Sequence, residues 1–287
     1  MRLLDVRNPF GAPVYHEETV GSTMDEARLL ARGGAPHGSA ICADFQSAGR
    51  GRGQGRAWEA ARGESLLFTA LLRFPRASGI PAALTIRAGL AVALAIEDFA
   101  PALKGKALIK WPNDIMLPAP RAAGLPGAGG AACASGCASG GAAPFAWRKA
   151  VGILAEADGG GARIGVGANV SQMEFPARLE GRATSIALAL GARIGSGERL
   201  ALLEKILARL REELEGKGEP GGWRLRAEAR LYMRGERARF AEGPAGCGRE
   251  IFGAIAGIGS GGELLIVPDG ESEPRALASG EQACREP

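Results

Sequence analysis

A run that alternates glycine with arginine, Gly49-Arg50-Gly51-Arg52-Gly53-Gln54-Gly55-Arg56, stands between two apolar segments, residues 39–45 and 65–74. Glycine loses more backbone freedom on folding than any other residue, so this run cannot form the interior of a helix or strand. Its apolar flanks are the right length for buried strands. The chain therefore has to hold a hinge-rich, cationic loop, residues 46–57, on the body of a folded domain. Glycine lets backbone N–H groups approach an anion closely, and arginine adds fixed planar donors. A phosphate or a carboxylate suits such a loop. No Gly-Lys-Ser/Thr follows, so it is not a Walker loop. A nucleic-acid tail of the RGG type is the other reading, and the flanking strands oppose it.

Around the loop, residues 13–20 read as a strand. Thr23-Met24-Asp25-Glu26 reads as a capping box, with Thr23 as the cap and Glu26 reaching back. That helix runs to about Arg32 and stops at Gly33-Gly34. Residues 81–99 read as a buried helix with Pro81 in its first turn. Residues 107–111 form a short strand ending at Pro112, and 150–157 and 163–170 are strands joined at Gly159-Gly160-Gly161. Leu200, Leu203, Leu207, Leu210 and Leu214 alternate three and four apart, which marks the packed face of a helix over 198–215. Residues 223–233 continue helical. From 234 the pattern becomes short strands (237–240, 250–256, 263–267, 274–278) with glycine-rich turns, a small β-barrel. Gly257-Ile258-Gly259-Ser260-Gly261-Gly262 matches G-x-G-x-x-G, but a strand follows it, so it reads as a hairpin turn.

Residues 118–144 stand apart. Of these 27, 10 are Ala, 7 Gly and 4 Pro, with Arg121 the one charge. Such a composition cannot bury enough side-chain surface to offset its chain entropy and reads as a flexible, disordered surface insertion. The five cysteines (Cys42, Cys133, Cys137, Cys247, Cys284) are odd in number and scattered, which suits a reducing compartment and not a disulfide framework. With His16 and His37 as the only histidines, no zinc ligand set is legible and no metal-binding residue is assigned. Met1-Arg2-Leu3-Leu4-Asp5 lacks a secretory core. The apolar stretch 80–101 is broken by Arg87, Glu97 and Asp98, so no membrane span is expected. A cytoplasmic protein is the expectation. The net charge of +4 permits an anionic substrate without demanding DNA.

Taken in order, Ser22-Thr23-Met24-Asp25-Glu26-Ala27, Gln46-Ser47-Ala48-Gly49-Arg50-Gly51-Arg52, Lys110-Trp111-Pro112-Asn113-Asp114, the strand start from Lys149 to Leu154, and Gly167-Ala168-Asn169-Val170 resemble the biotin–protein ligases, over roughly residues 13–285 without the insertion. The resemblance implies an α+β fold. Its catalytic domain, residues 1–233, is akin to class II aminoacyl-tRNA synthetases, and a small SH3-like barrel follows over 234–287. It implies the short form, because the first strand begins by residue 13 and leaves no room for an N-terminal DNA-binding domain.

The activity implied is ATP-dependent. Biotinyl-5'-AMP forms first, and biotin then passes to a lysine of a biotin carboxyl carrier protein, by family default that of acetyl-CoA carboxylase. ATP, biotin and Mg²⁺ are the implied cofactors. Neither DNA nor a membrane is a partner, and the chain is a monomer or a homodimer. By position, Ser22, Thr23, Met24 and Gln46 match the biotin-contacting residues, although many relatives carry Asn where Met24 stands. Arg50, Gly51 and Arg52 match the covering loop, which is one residue longer than the commonest form, so Arg52 and Arg56 compete for one role. Lys149 matches the principal catalytic lysine and Arg50 a cation that assists it. Asp114 matches an aspartate proposed to deprotonate the incoming lysine, and Asn169 an adenine-side contact. Arg275 or Leu277 falls where some relatives stack a tryptophan on adenine. The rival within enzymes is a lipoate–protein ligase or octanoyl transferase of the related fold.

Overall fold

The computed structural model describes residues 1–53, 55–120, 145–195, 197–216, 221–243 and 248–282. In chain order the main elements are β1 (Arg2–Leu3), β2 (Val14–Val20), α1 (Thr23–Arg32), β3 (Ala40–Gln46), β4 (Ser65–Arg73), α2 (Leu84–Phe99), β5 (Leu108–Lys110), β6 (Asp114–Pro120), β7 (Phe145–Asp158), β8 (Gly161–Asn169), α3 (Ile186–Leu190), α4 (Glu198–Glu215), α5 (Gly222–Glu228), β9 (Arg237–Glu242), β10 (Glu250–Ile258), β11 (Leu264–Pro268), β12 (Arg275–Leu277) and β13 (Gly280–Gln282). The first eight strands form one mixed sheet in the order β1-β2-β3-β4-β8-β7-β6-β5. Only β2 and β3 pair in parallel, and α1 is their crossover. The last five form an antiparallel sheet, β12-β11-β10-β9-β13.

Strand side chains alternate between faces, so the large sheet has two distinct sides. On one side Ile109, Ile115 and Ile153 pack under α2, which is in turn covered by α4. The packed stripe of α4 is Leu202, Leu203, Ile206, Leu207, Leu210 and Leu214, with Leu200 at its margin. Buried Glu213 in the same helix pairs with Arg87 of α2 and Arg226 of α5. The other side carries α1 and the glycine–arginine loop. Buried residues of the second sheet, among them Phe240, Ile255 and Ile258, continue the same hydrophobic cluster.

Tertiary contacts override several local signals. Ser22, and not Thr23, caps α1, its Oγ accepting from Met24 N–H at 3.3 Å. The Thr23 hydroxyl is drawn to the sheet, donating to Gln46 Oε1 at 3.0 Å and accepting from Thr69 Oγ1 at 2.9 Å. Helix α2 starts beyond Pro81, because Ala83 takes a left-handed conformation (φ 57°) that no helix continues through. Helix α5 ends at Glu228, short of 233, because β5 captures the chain: Ile109 N–H donates to Arg230 O at 2.7 Å, and Tyr232 N–H to Ile109 O at 2.9 Å.

The start of the alanine–glycine insertion also needs correcting. Residues 118–120 are the end of β6, with Pro118 opposite Trp147 and Pro120 opposite Phe145. Proline is tolerated there because β5 stops pairing at Met116 and leaves that edge of β6 free. The remainder of the insertion, with Cys133 and Cys137, lies outside the described residues, as do Cys247 and Cys284. Cys42 is buried in β3, and burial pushes its thiol up to about 12, so it is not a nucleophile. No described helix is long and apolar enough to cross a membrane.

Two outcomes test this packing. Leu207→Ala should cost about 2–5 kcal/mol in urea unfolding, the range for a leucine truncated in a closed core. Asp98 of α2 is bonded by Arg209 of α4, and that hydrogen bond holds its carboxyl below the ordinary 3.8. The folded state therefore binds fewer protons than the unfolded one near that pH, and the pair stabilises fully above it and fades as pH falls through the lowered value. The stability difference between the parent and Asp98→Asn should shrink in unfolding curves as pH drops below about 4.

Candidate active site

Gly152 of β7 and Gly167 of β8 are cross-strand partners, so the sheet has no Cβ on either side of one pairing position. The ring of Trp58 occupies the resulting groove. A Cβ built on Gly167 would lie 2.6 Å from Trp58 Cε2, and one on Gly152 2.9 Å from its Cζ3. Farther along β8, a Cβ on Gly165 would lie 2.9 Å from Met24 Sδ. The glycines of these strands are therefore a packing requirement, and Trp58 and Met24 are the bodies that use the space. Together with Ser22, Thr23, Gln46, Arg50, Gly51, Arg52, Asn113 and Lys149 they line one cleft. The Trp58 Nε1–H is buried with no hydrogen-bond partner among the described residues.

Lys149 owes its position to an irregularity. Between β6 and β7 the register shifts, with Ile115 facing Val151 and Met116 facing Lys149, so one extra residue bulges from β7. Bulges re-aim the side chains beside them. The backbone of Lys149 is fixed from outside the pair: its N–H donates to Arg182 O at 3.0 Å, and its carbonyl accepts from Thr184 N–H at 2.9 Å. The ammonium lies 2.7 Å from Asp114 Oδ1 and 5.6 Å from the centre of the Trp58 ring. Asp114 begins β6, and the adjacent Asn113 donates to Ile153 O at 3.1 Å, which holds the turn against β7.

The loop cations are also partnered. Arg50 pairs with Asp25 of α1 at 2.8 Å. Arg52 donates to Gly280 O at 3.0 Å, and Arg56 pairs with Glu281 at 2.6 Å. Desolvation lowers the pKa of the Arg52 guanidinium, and Glu281 opposes that shift. Gln46 accepts from both the N–H and the hydroxyl of Thr23 through Oε1, at 2.7 and 3.0 Å.

The described structure thus brings Ser22, Thr23, Met24, Gln46, Arg50, Gly51, Arg52 and Lys149 to one cleft, with Asp114 against Lys149. Asn169 is not among the lining residues. Its amide donates to Thr184 O at 3.0 Å, and its Oδ1 accepts from Gln172 and Ser65. It thereby steadies the segment that grips the Lys149 backbone. The wall role of Trp58 and the part of Asn113 have no periodic or compositional signature. Only the glycines on the facing strands hint that something large must lie across them.

No family model matches the chain. The bifunctional ligase/repressor BirA of Bacillus subtilis is 31% identical over 201 residues, which cover 68% of this chain and 51% of that protein. The BirA of Bacillus spizizenii is 30% identical over 205 residues, covering 69% and 52%. Among solved structures, the biotin protein ligase from Aquifex aeolicus in complex with biotin and ATP matches 94% of this chain and 97% of its own, with 25% identity and a TM-score of 0.69. The chain belongs to the biotin–protein ligase family. A second biotin–protein ligase, from Leishmania major, shares the fold over 93% of this chain at a TM-score of 0.54 and 21% identity. The large mixed sheet with its few helices is thus the class II synthetase-like fold of biotin–protein ligase catalytic domains. The chain spans about half the length of the curated relatives it matches.

The glycine groove makes its own test. Gly167→Ala should expel the Trp58 ring from the sheet, seen as a red shift of tryptophan emission. The shift should vanish when Trp58→Phe is added, since the chain has only 4 tryptophans and the other three lie away from this groove.

Proposed function

We propose that the chain is an ATP-dependent biotin–protein ligase. The observation that carries this is the convergence of Lys149, Arg50 and Arg52 on a narrow cleft whose inner end is Ser22, Thr23, Met24 and Gln46. A ligand with a polar, flat ring at one end and an anion at the other fits that gradient. Hydroxyl and amide groups complement a ureido ring, which both donates and accepts. The unpaired Trp58 N–H is a further donor.

In the first step a biotin carboxylate oxygen bonds to the α-phosphorus of ATP, the bond from that phosphorus to its bridging oxygen breaks, and pyrophosphate leaves. Two anions meet, so the barrier is largely electrostatic, and preorganised cations lower it. Lys149 supplies one of them by moving from Asp114 onto the carboxylate and α-phosphate. That move leaves the Asp114 carboxylate free. In the second step the ε-amine of a carrier lysine bonds to the biotinyl carbonyl, AMP leaves, and Asp114 takes the proton. Closure of the glycine-hinged loop keeps water from the mixed anhydride. No three His, Cys, Asp or Glu converge among the described residues. Mg²⁺ at a nucleotide site needs no such cage, since the substrate phosphates, water and one or two carboxylates would hold it and it would offset phosphate charge.

The proposal extends to the acceptor, the compartment and the division of the chain. It comprises a biotin carboxyl carrier protein of acetyl-CoA carboxylase as acceptor, a cytoplasmic protein that is a monomer or homodimer, and a division into residues 1–233 and an SH3-like 234–287. Asn169, its amide committed to Thr184 and Gln172, positions the segment that holds Lys149 and is not proposed as the adenine contact. Support for the division comes from the second sheet, whose first strand starts at Arg237.

Biotin-dependent exchange between ATP and pyrophosphate is the deciding assay. Lys149→Ala should lower it by about a hundredfold or more, the scale of a lost transition-state donor, with an unchanged unfolding curve. Exchange that answers to lipoate and not to biotin would replace this reading with the lipoate one.

A further inference from the structure

The two sheets meet at the cleft in two places of different character. The Trp111 indole, itself buried, donates through Nε1 to Gly262 O at 2.9 Å, in the turn between β10 and β11. This bond fixes the stretch that leads into Asn113 and Asp114 against the second sheet. The other junction joins a part-buried hydrogen bond to an ion pair that is exposed at Arg56. Strand β13 lies at the sheet edge, paired only with β9. Its Gly280 carbonyl accepts from Arg52, and its Glu281 carboxylate takes Arg56 in a two-pronged pair at 2.6 Å. The Arg56 side chain is 54% exposed. One wall of the cleft is thus bolted to the second sheet by a desolvated hydrogen bond. The movable wall is held by a pair that water can compete for.

We propose that β13 is the catch of the glycine–arginine loop and that Glu281 is a positioning residue. Through Arg56 it holds closed the loop that presents Arg50 and Arg52 to the cleft. The glycines between these arginines allow the loop to swing, and a catch at its far end sets how long it stays shut. The effect on catalysis rests on the ligase reading above. The mechanical claim does not. Opening of the catch exposes backbone that a protease can reach, in proportion to the open population. Loss of an exposed pair changes that population modestly.

Limited trypsin digestion of the full chain, with mass mapping of the cuts, reads the catch directly. Glu281→Gln keeps shape and removes charge, and it should raise cleavage within residues 50–56 by about threefold while other sites stay as in the parent. Glu281→Arg should do the same, and adding Arg56→Glu should restore protection at Arg50 and Arg52. Unchanged cleavage in Glu281→Gln, an increase spread over all sites, or failure of the charge swap to restore protection would each overturn the proposal. In the ligase assay, Glu281→Gln should release a larger share of biotinyl-adenylate to solution per exchange turnover than the parent, and an equal share would count against the catch. Absence of exchange in the parent would instead sink the ligase reading and leave the digestion result standing.

Discussion

Everything at the cleft depends on one omission: Gly152 and Gly167 face each other across β7 and β8 with no Cβ between them. That pairing position sits in the middle of a sheet whose opposite side is closed by α2 and α4, so the hollow opens only toward the loop. Trp58 enters it and brings the end of the loop down onto the sheet, while Gly49 stays close enough to the Trp58 carbonyl that a Cβ there would stand at 2.6 Å. The register shift next to Lys149 then turns the ammonium toward the same hollow. A flat sheet with side chains at every position would have neither a recess nor an aimed lysine.

Much of this was legible in the chain, and what was not has a common cause. Periodicity marks α4 to the residue, because eighteen residues with one apolar stripe leave no competing arrangement. The strands on either side of the glycine–arginine run are equally plain. Short elements escape. Strand β13 is three residues long and gains its identity from β9, and β1 from β2. The errors of boundary share that origin: Thr23 leaves its capping box for Gln46 and Thr69, and the chain after Glu228 leaves its helix for Ile109. In each case a partner distant in sequence offers a bond that local propensity cannot anticipate.

The candidate site divides in the same way. Residues that must carry a particular chemistry, such as Gln46, Arg50 and Lys149, declare themselves by type and order. Residues that give those groups a place do not. Trp58 brings only an indole ring to a groove that two glycines open, Asn169 spends its amide on Thr184 and Gln172, and Glu281 stands 225 positions from the arginine it holds. Their roles exist only once the sheet has brought its strands together.

The ion pairs of the cleft have a consequence for selectivity. Lys149 rests on Asp114, Arg50 on Asp25 and Arg56 on Glu281. An incoming anion therefore does not fall onto bare positive charge; it has to displace a carboxylate at Lys149 and at Arg50, and a backbone carbonyl at Arg52. A ligand that reaches only one of them gains little by the exchange. A ligand long enough to engage several at once, with a ring anchored at Thr23 and Gln46, recovers the cost from many contacts. Self-neutralisation of this kind gives a small inorganic anion little to gain at any one cation and favours a ligand that engages several of them together.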